Sequence, residues 1–333
     1  MKKVTLLALF AALCLASVPA AAETNLTVGA IGSTSDTYMI AMGWANALKK
    51  VNSDIVLTPL EGGGTVKLMR GLVSNKWDIG FIGSPHMANA LNGELNFAKD
   101  PKPLREKYGK VRALFGVASG MAQYVTRGDS DIKSLADLKG RKFAIGTPGG
   151  MAGLVTRTLM NEYGLSADKN DYLAQYIDYS AAMDEMRSKL LDATLVWGNS
   201  PHVAVFNFSR QIPVRLLPID KAAFESFKTK MPQGQYYFLN EFSPEQLKAI
   251  YGENAMVQDT PSNAWTFQMM IIVRDDMPDD VAYELTKVFW ENLDTVKETG
   301  AALNIIEAKD ALKALSIEVH PGAARYYKEK GMM

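Results

Sequence analysis

The tripeptide Ala30-Ile31-Gly32 returns as Ala144-Ile145-Gly146, and an aspartate follows each first alanine at one and the same distance, Asp78 and Asp192. Both pairs are offset by 114 residues. Each aspartate opens a short apolar run, Ile79 to Ile82 and Ala193 to Trp197. Each run leads into a near-identical phrase, Ser84-Pro85-His86-Met87-Ala88 and Ser200-Pro201-His202-Val203-Ala204. Agreement in order, spacing and context points to one construction made twice. Two similar lobes facing each other leave a cleft, which predicts a hinged binder before it predicts an enzyme.

The apolar periodicity fills in the two halves. Leu26 to Ile31 alternates as a strand, Gly32 to Thr37 is a polar loop, and Met39, Met42, Ala45 and Leu48 recur at helical spacing. A strand at Ile55 to Leu60, a loop at Glu61 to Thr65, a helix at Val66 to Ser74 and a strand at Asp78 to Ile82 complete the first pattern. Strands separated by such helices pair in parallel, so the chain is predicted to be α/β, each lobe a mainly parallel sheet flanked by helices. Ala113 to Thr126 reads as a strand crossing between lobes, able to bend at Gly116, Ser119 and Gly120, and Trp265 to Val273 as the returning strand.

In the second lobe, Ser134-Leu135-Ala136-Asp137 has the form of a capping box, and Lys142 to Ile145 starts the sheet. Helices are predicted over Met151 to Tyr163 and Ser180 to Leu190, with strands at Tyr172 to Ile177, Ala193 to Trp197 and Val214 to Leu217. Ser243-Pro244-Glu245-Gln246 is a helix start. Pro278 to Thr299 reads as one long amphipathic helix packed on the first lobe. Residues 23–120 and 274–333 are therefore assigned to lobe 1 and residues 121–273 to lobe 2.

Lys2 and Lys3 precede an apolar stretch from Val4 to Val18 and small residues at Ala20-Ala21-Ala22, which predicts an export signal over residues 1–22, cleaved after Ala22, and a periplasmic location. The single cysteine, Cys14, lies inside that segment. Its removal takes two lysines and no acid, leaving a formal charge of −2, with no field that would steer nucleic acid. No Gly-x-Ser-x-Gly elbow, phosphate loop or His-Glu-x-x-His pair is present, so the sequence calls for no cofactor, no metal and no catalytic residue.

Four strand-end loops are rich in Gly, Ser or Thr and precede helices: Gly32 to Thr37, Gly62 to Thr65, Gly83-Ser84, and Gly146 to Gly150. Unpaired N–H groups at helix starts hold an anion without a basic side chain, and ligands of open parallel sheets settle at the carboxyl ends of strands. The candidate ligand-binding residues are thus Ser33, Thr34, Ser35, Thr37 and Tyr38; Gly63, Gly64 and Thr65; Gly83 and Ser84; and Thr147, Gly149, Gly150 and Met151. Trp197 joins them as an aromatic wall at the floor of the cleft. His86 and His202 lack partners at metal-ligand spacing and are expected at helix starts on the surface.

The closing segment His320-Pro321-Gly322-Ala323-Ala324-Arg325-Tyr326-Tyr327-Lys328-Glu329, together with Gly32, Ser33, Thr37 and Tyr38, resembles the TAXI-type extracytoplasmic solute receptors of TRAP transporters. The likeness runs over nearly the whole chain after residue 22. It implies a two-lobed, periplasmic-binding-protein-like (type II) fold. It also implies capture of a small organic acid, dicarboxylate or glutamate-like, and delivery to a TRAP membrane permease of fused small and large subunits. The chain departs from that pattern at Ser35 and Asp36, where glycines are usual, at Met39, at Gly83 and at Gly150-Met151-Ala152. These changes remove hydroxyl and amide groups and add a carboxylate, which suits a bulkier, less polar carboxylate. A sensory module reporting the same kind of ligand to a membrane receptor kinase is the alternative.

Overall fold

The computed structural model describes residues 23–33, 35–146 and 150–333, leaving aside the side chain of Ser119. The export signal read at residues 1–22 and the candidates Thr34, Thr147 and Gly149 lie outside the described residues.

Strand and helix alternate as the periodicity predicts. The first half begins β1 (Thr24–Ala30), α1 (Asp36–Lys50), β2 (Ile55–Glu61), α2 (Thr65–Val73) and β3 (Ile79–Gly83). After α3 (Ser84–Asn92) and α4 (Lys102–Tyr108), the long β4 (Val111–Arg127) leads into the second half. There β5 (Lys142–Ala144), α5 (Met151–Asn161), β6 (Leu173–Gln175), α6 (Tyr179–Arg187) and β7 (Ala193–Gly198) repeat the pattern. They are followed by α7 (Val203–Ser209), β8 (Val214–Leu216), α8 (Lys221–Lys230), β9 (Phe238–Phe242) and α9 (Pro244–Tyr251). The chain returns through β10 (Ser262–Arg274) to α10 (Asp279–Glu291), α11 (Leu293–Lys297) and α12 (Pro321–Glu329).

The strands join in the order β2-β1-β3-β10-β4-β7-β5-β6, with β8 on β4 and β9 on β10. β1 is parallel to β2 and β3, and β5 is parallel to β6 and β7, so each half is a short parallel sheet. β4 and β10 are antiparallel and serve both halves. β10 pairs with β9 from Ser262 to Thr266 and with β3 from Met269 to Val273, while β4 takes up β7 from Met121 onward. Between these stretches the register slips, so that Phe267 alone stands opposite Ser119 and Gly120. A bulge bends and twists the ladder there, and two such strands side by side make a hinge.

The repeated aspartates have one structural task. Asp78 Oδ2 accepts from the Thr27 N–H at 2.9 Å and the Asp78 N–H donates to the Thr27 carbonyl at 3.0 Å. Asp192 Oδ2 accepts from the Lys142 N–H at 2.8 Å and the Asp192 N–H donates to the Lys142 carbonyl at 3.0 Å. Each carboxylate extends the ladder one step and fixes the third strand of its half to the first. The duplication is thus visible in hydrogen bonds, and it anchors sheets rather than binding a ligand.

Core packing explains the glycines beside the tryptophans. A Cβ on Gly29 or Gly71 would come within 2.7 or 2.2 Å of Trp77, whose ring fills that space and whose Nε1 donates to the Leu68 carbonyl. Trp44 on α1 is fully buried, edge-on to Phe115 and Phe289, and donates to the Leu285 carbonyl of α10. The closing segment is a clasp on the same half. The His320 N–H donates to the Ala113 carbonyl of β4 at 2.8 Å, and Tyr327 Oη accepts from Trp290 and donates to the Leu114 carbonyl.

Two expectations are corrected. The helix read as continuous from Pro278 to Thr299 breaks at Asn292, whose side-chain amide takes the Val288 carbonyl at 3.1 Å and whose backbone leaves helical geometry. The two histidines are not surface residues. His86 is buried edge-on against Phe267, and His202 faces an internal cavity at the start of α7.

Candidate functional site

The starts of α1, α6 and α7 converge on one cavity of about 580 Å³ between the two halves. Val117, Ala118 and Gly120 of β4 and Met269 of β10 form its back wall, so it sits directly on the hinge strands. Helix starts meet there because β1, β6 and β7 all end on this side of their sheets.

Three residues singled out from the sequence line the cavity: Ser35, Thr37 and Trp197. The two hydroxyls are already committed to the turn. Ser35 Oγ caps α1 by accepting from the Tyr38 N–H at 3.2 Å and donates to the Gly32 carbonyl at 2.7 Å, and Thr37 Oγ1 accepts from the Ile31 N–H at 3.0 Å. They hold the loop in shape and set the first N–H groups of α1 toward the cavity. Trp197 is partly exposed there and stacks on Phe267 with centroids 5.0 Å apart.

The other described candidates lie elsewhere. Ser33 is exposed, its N–H donating to Glu61, and Tyr38 is half-buried off the cavity lining. Gly63, Gly64 and Thr65 form the turn and start of α2 and take no part in the lining. Gly83 has the ring of Phe267 against it, 2.4 Å from where a Cβ would sit, and Ser84 is buried with its hydroxyl donating to the Gln268 carbonyl. Gly150 caps α5, and Met151 meets Asn96 of the opposite half, with the Asn96 amide donating to its sulfur at 3.1 Å.

Of the cavity's charged and unsatisfied groups, Asp36 belongs to the loop Gly32 to Thr37, while Asp178 and Asn199 lie outside the four glycine-rich loops. Asp36, in the first turn of α1, is largely buried, which pushes its carboxyl up to about 6. Asn199, from the end of β7, donates through Nδ2 to Asp36 Oδ2 at 3.0 Å and to the Ala302 carbonyl at 2.8 Å. One amide therefore crosses the cleft. Its Oδ1 is buried with no partner among the described residues. Asp178 caps α6 by accepting from the Ser180 and Ala181 N–H groups at 2.9 and 3.0 Å. Tyr179 stands edge-on to His202 at 5.6 Å, and burial lowers the His202 imidazole to about 4, which keeps it neutral. A signal for α6 did exist: Asp178-Tyr179-Ser180 also joins a strand end to a helix start, with an acidic cap in place of glycine.

Among the described residues, no group of three or more His, Cys, Asp or Glu could hold a metal ion, and no helix is long and apolar enough to cross a membrane. Two α/β halves hinged on shared strands around a cavity are the two-lobed fold of periplasmic binding proteins. Residues 29–331 match the family model described as NMT1-like, and the chain belongs to the NMT1-like family.

Solved structures are similar to it at low identity. The putative sulfonate ABC transporter periplasmic sulfonate-binding protein SsuA from Methylobacillus flagellatus KT is 12% identical with a TM-score of 0.50, over 93% of this chain and 95% of that one. A protein from Bordetella bronchiseptica RB50 is 14% identical with a TM-score of 0.50, over 92% and 98%. A TRAP periplasmic solute-binding protein from Pseudomonas aeruginosa PAO1, with bound L-malate, is 12% identical with a TM-score of 0.45, over 84% and 86%.

Proposed function

We propose that the protein is an extracytoplasmic solute receptor of the TAXI type, which captures a small organic acid between its lobes and delivers it to a TRAP membrane permease from the periplasm. The observation that carries this reading is the cavity on the hinge strands, with contacts from both halves closing over it. Residues 23–120 and 274–333 act as one lobe and 121–273 as the other. They part for the ligand to enter and close on it, and the closed surface is what the permease recognises. The body of the ligand lies against Trp197, Met39 and Met269, which line the cavity. Among the described residues no lysine or arginine lines the cavity, which favours the bulkier, less polar carboxylate over a dicarboxylate.

Native mass spectrometry of the protein as isolated, followed by scattering with and without the retained molecule, tests the receptor role. A retained acid whose removal enlarges the molecule supports it, and turnover of that acid overturns it. Replacing Trp197 by Ala is expected to weaken binding roughly tenfold or more by removing the aromatic wall. Tyr38→Ala, off the cavity, is expected to leave affinity unchanged. Calorimetry on both variants checks the pair.

A further inference from the structure

The cavity's inventory of charge is one-sided. Among the described residues its lining holds two carboxylates, Asp36 and Asp178, and neither a lysine nor an arginine. The start of α6 is already filled by the Asp178 carboxylate, and the start of α1 carries Asp36, so neither helix offers an uncompensated positive end. Beside Asp36, the Asn199 side chain is 5% exposed, and its Oδ1, which can only accept, has no partner among the described residues. A buried acceptor without a donor is costly, and the cheapest partner for it and a neighbouring carboxylate is a group with several N–H donors.

We infer that the ligand carries a protonated nitrogen held by the Asp36 carboxylate and the free side-chain oxygen of Asn199 beside it, with an apolar or aromatic body against Trp197. This deepens the proposed receptor role and rests on it: the solute is ammonium-bearing, not an acid alone. An ammonium supplies the donor that the Asn199 side-chain oxygen lacks and the positive charge that the Asp36 carboxylate lacks. Trp197, partly exposed, lines the same cavity and gives an aromatic wall for the body of the ligand. Its body is limited by the cavity walls of Met39, Ile40 and Met269.

Matched probes on one carbon skeleton test this directly: tryptamine, tryptophan and indolepropionate, and isoamylamine, leucine and isocaproate. Thermal shift and calorimetry are run on the full protein. The expected result is that stabilising members all carry the ammonium and that their acid-only counterparts bind roughly tenfold more weakly or worse. Asp36→Asn, with its fold checked by circular dichroism, is expected to lose about the same factor for the ammonium-bearing members only. Equal or tighter binding of the acid-only members overturns the inference, and so does binding by no ammonium-bearing member. An acid that binds and closes the lobes overturns the ammonium while leaving the receptor role standing; failure of every bound probe to close the lobes counts against the receptor role itself.

Discussion

His86 sits with both ring nitrogens buried and without partners, edge-on to Phe267 at 4.8 Å, and burial lowers its imidazole to about 4. In the unfolded chain the ring titrates near about 6.5. The folded protein therefore resists protonation that the unfolded chain accepts, so stability is full above that pH and falls as the pH drops toward 4. His202 acts in the same direction. Replacing His86 by Leu is expected to raise stability by about 1 kcal/mol at neutral pH, because an unpaired buried polar ring is removed. The gain grows by about 2 kcal/mol at pH near 5, where the wild-type ring would be charged on unfolding. Denaturant melts at the two pH values decide it; a loss of stability at both would show that the nitrogens are satisfied. The burial of His86 was hidden in the sequence, since Ser-Pro-His at a helix start reads equally well as surface.

Among the elements, the hinge depends on one glycine and one aromatic ring. Phe267 stands opposite the bulge in β4, touches Trp197 of one half and lies over Gly83 of the other. A methyl group on Gly83 would stand 2.4 Å from the ring, with no flexible side chain to yield. Gly83→Ala is expected to destabilise the protein by about 1–3 kcal/mol and to displace Phe267, shifting the lobes apart. A thermal melt together with tryptophan fluorescence checks this, and a variant of unchanged stability would mean that the ring swings freely. Alternation and turn chemistry made most elements legible. The broken helix at Asn292 was not, because the apolar stripe continues across the break while the asparagine side chain competes locally for the Val288 carbonyl.

For the whole molecule, the side-chain hydrogen bonds across the cleft among the described residues are Asn199 to Asp36 and Ala302, Asn96 to Met151, and Gln233 to Glu94. Asn199→Ala removes the one that also grips Ala302, and the lobes are expected to open in the absence of ligand. Small-angle scattering reads this as a larger radius of gyration than wild type; an identical radius would mean that the remaining contacts suffice. Asp36 adds a pH dependence with a definite sign. Its carboxyl is raised to about 6 when the lobes enclose it and relaxes toward 3.8 when solvated. The enclosed form therefore holds the proton more tightly, so closure is favoured at acidic pH and loses about 3 kcal/mol as the pH rises through 6. Asp178, Tyr179 and His202 share the cavity, so the same titration on Asp36→Asn isolates the effect of Asp36.

The sequence by itself determined the doubled plan, the alternation of strand and helix, the capped helix starts and the crossing strands. These are periodic or local properties that a single chain expresses without knowing its neighbours. Only the tertiary structure decided which loops meet. Ser35 and Thr37 reach the cavity but spend their hydroxyls on their own turn, while the loops at Gly63 and Gly83 serve packing. The cleft is bridged by Asn199 and Asp36, which lie 163 residues apart. Burial, and with it charge and hydrogen-bond satisfaction, is a property of segments brought together, so a strand-end loop shows where a site can form but not which side chains remain free to bind.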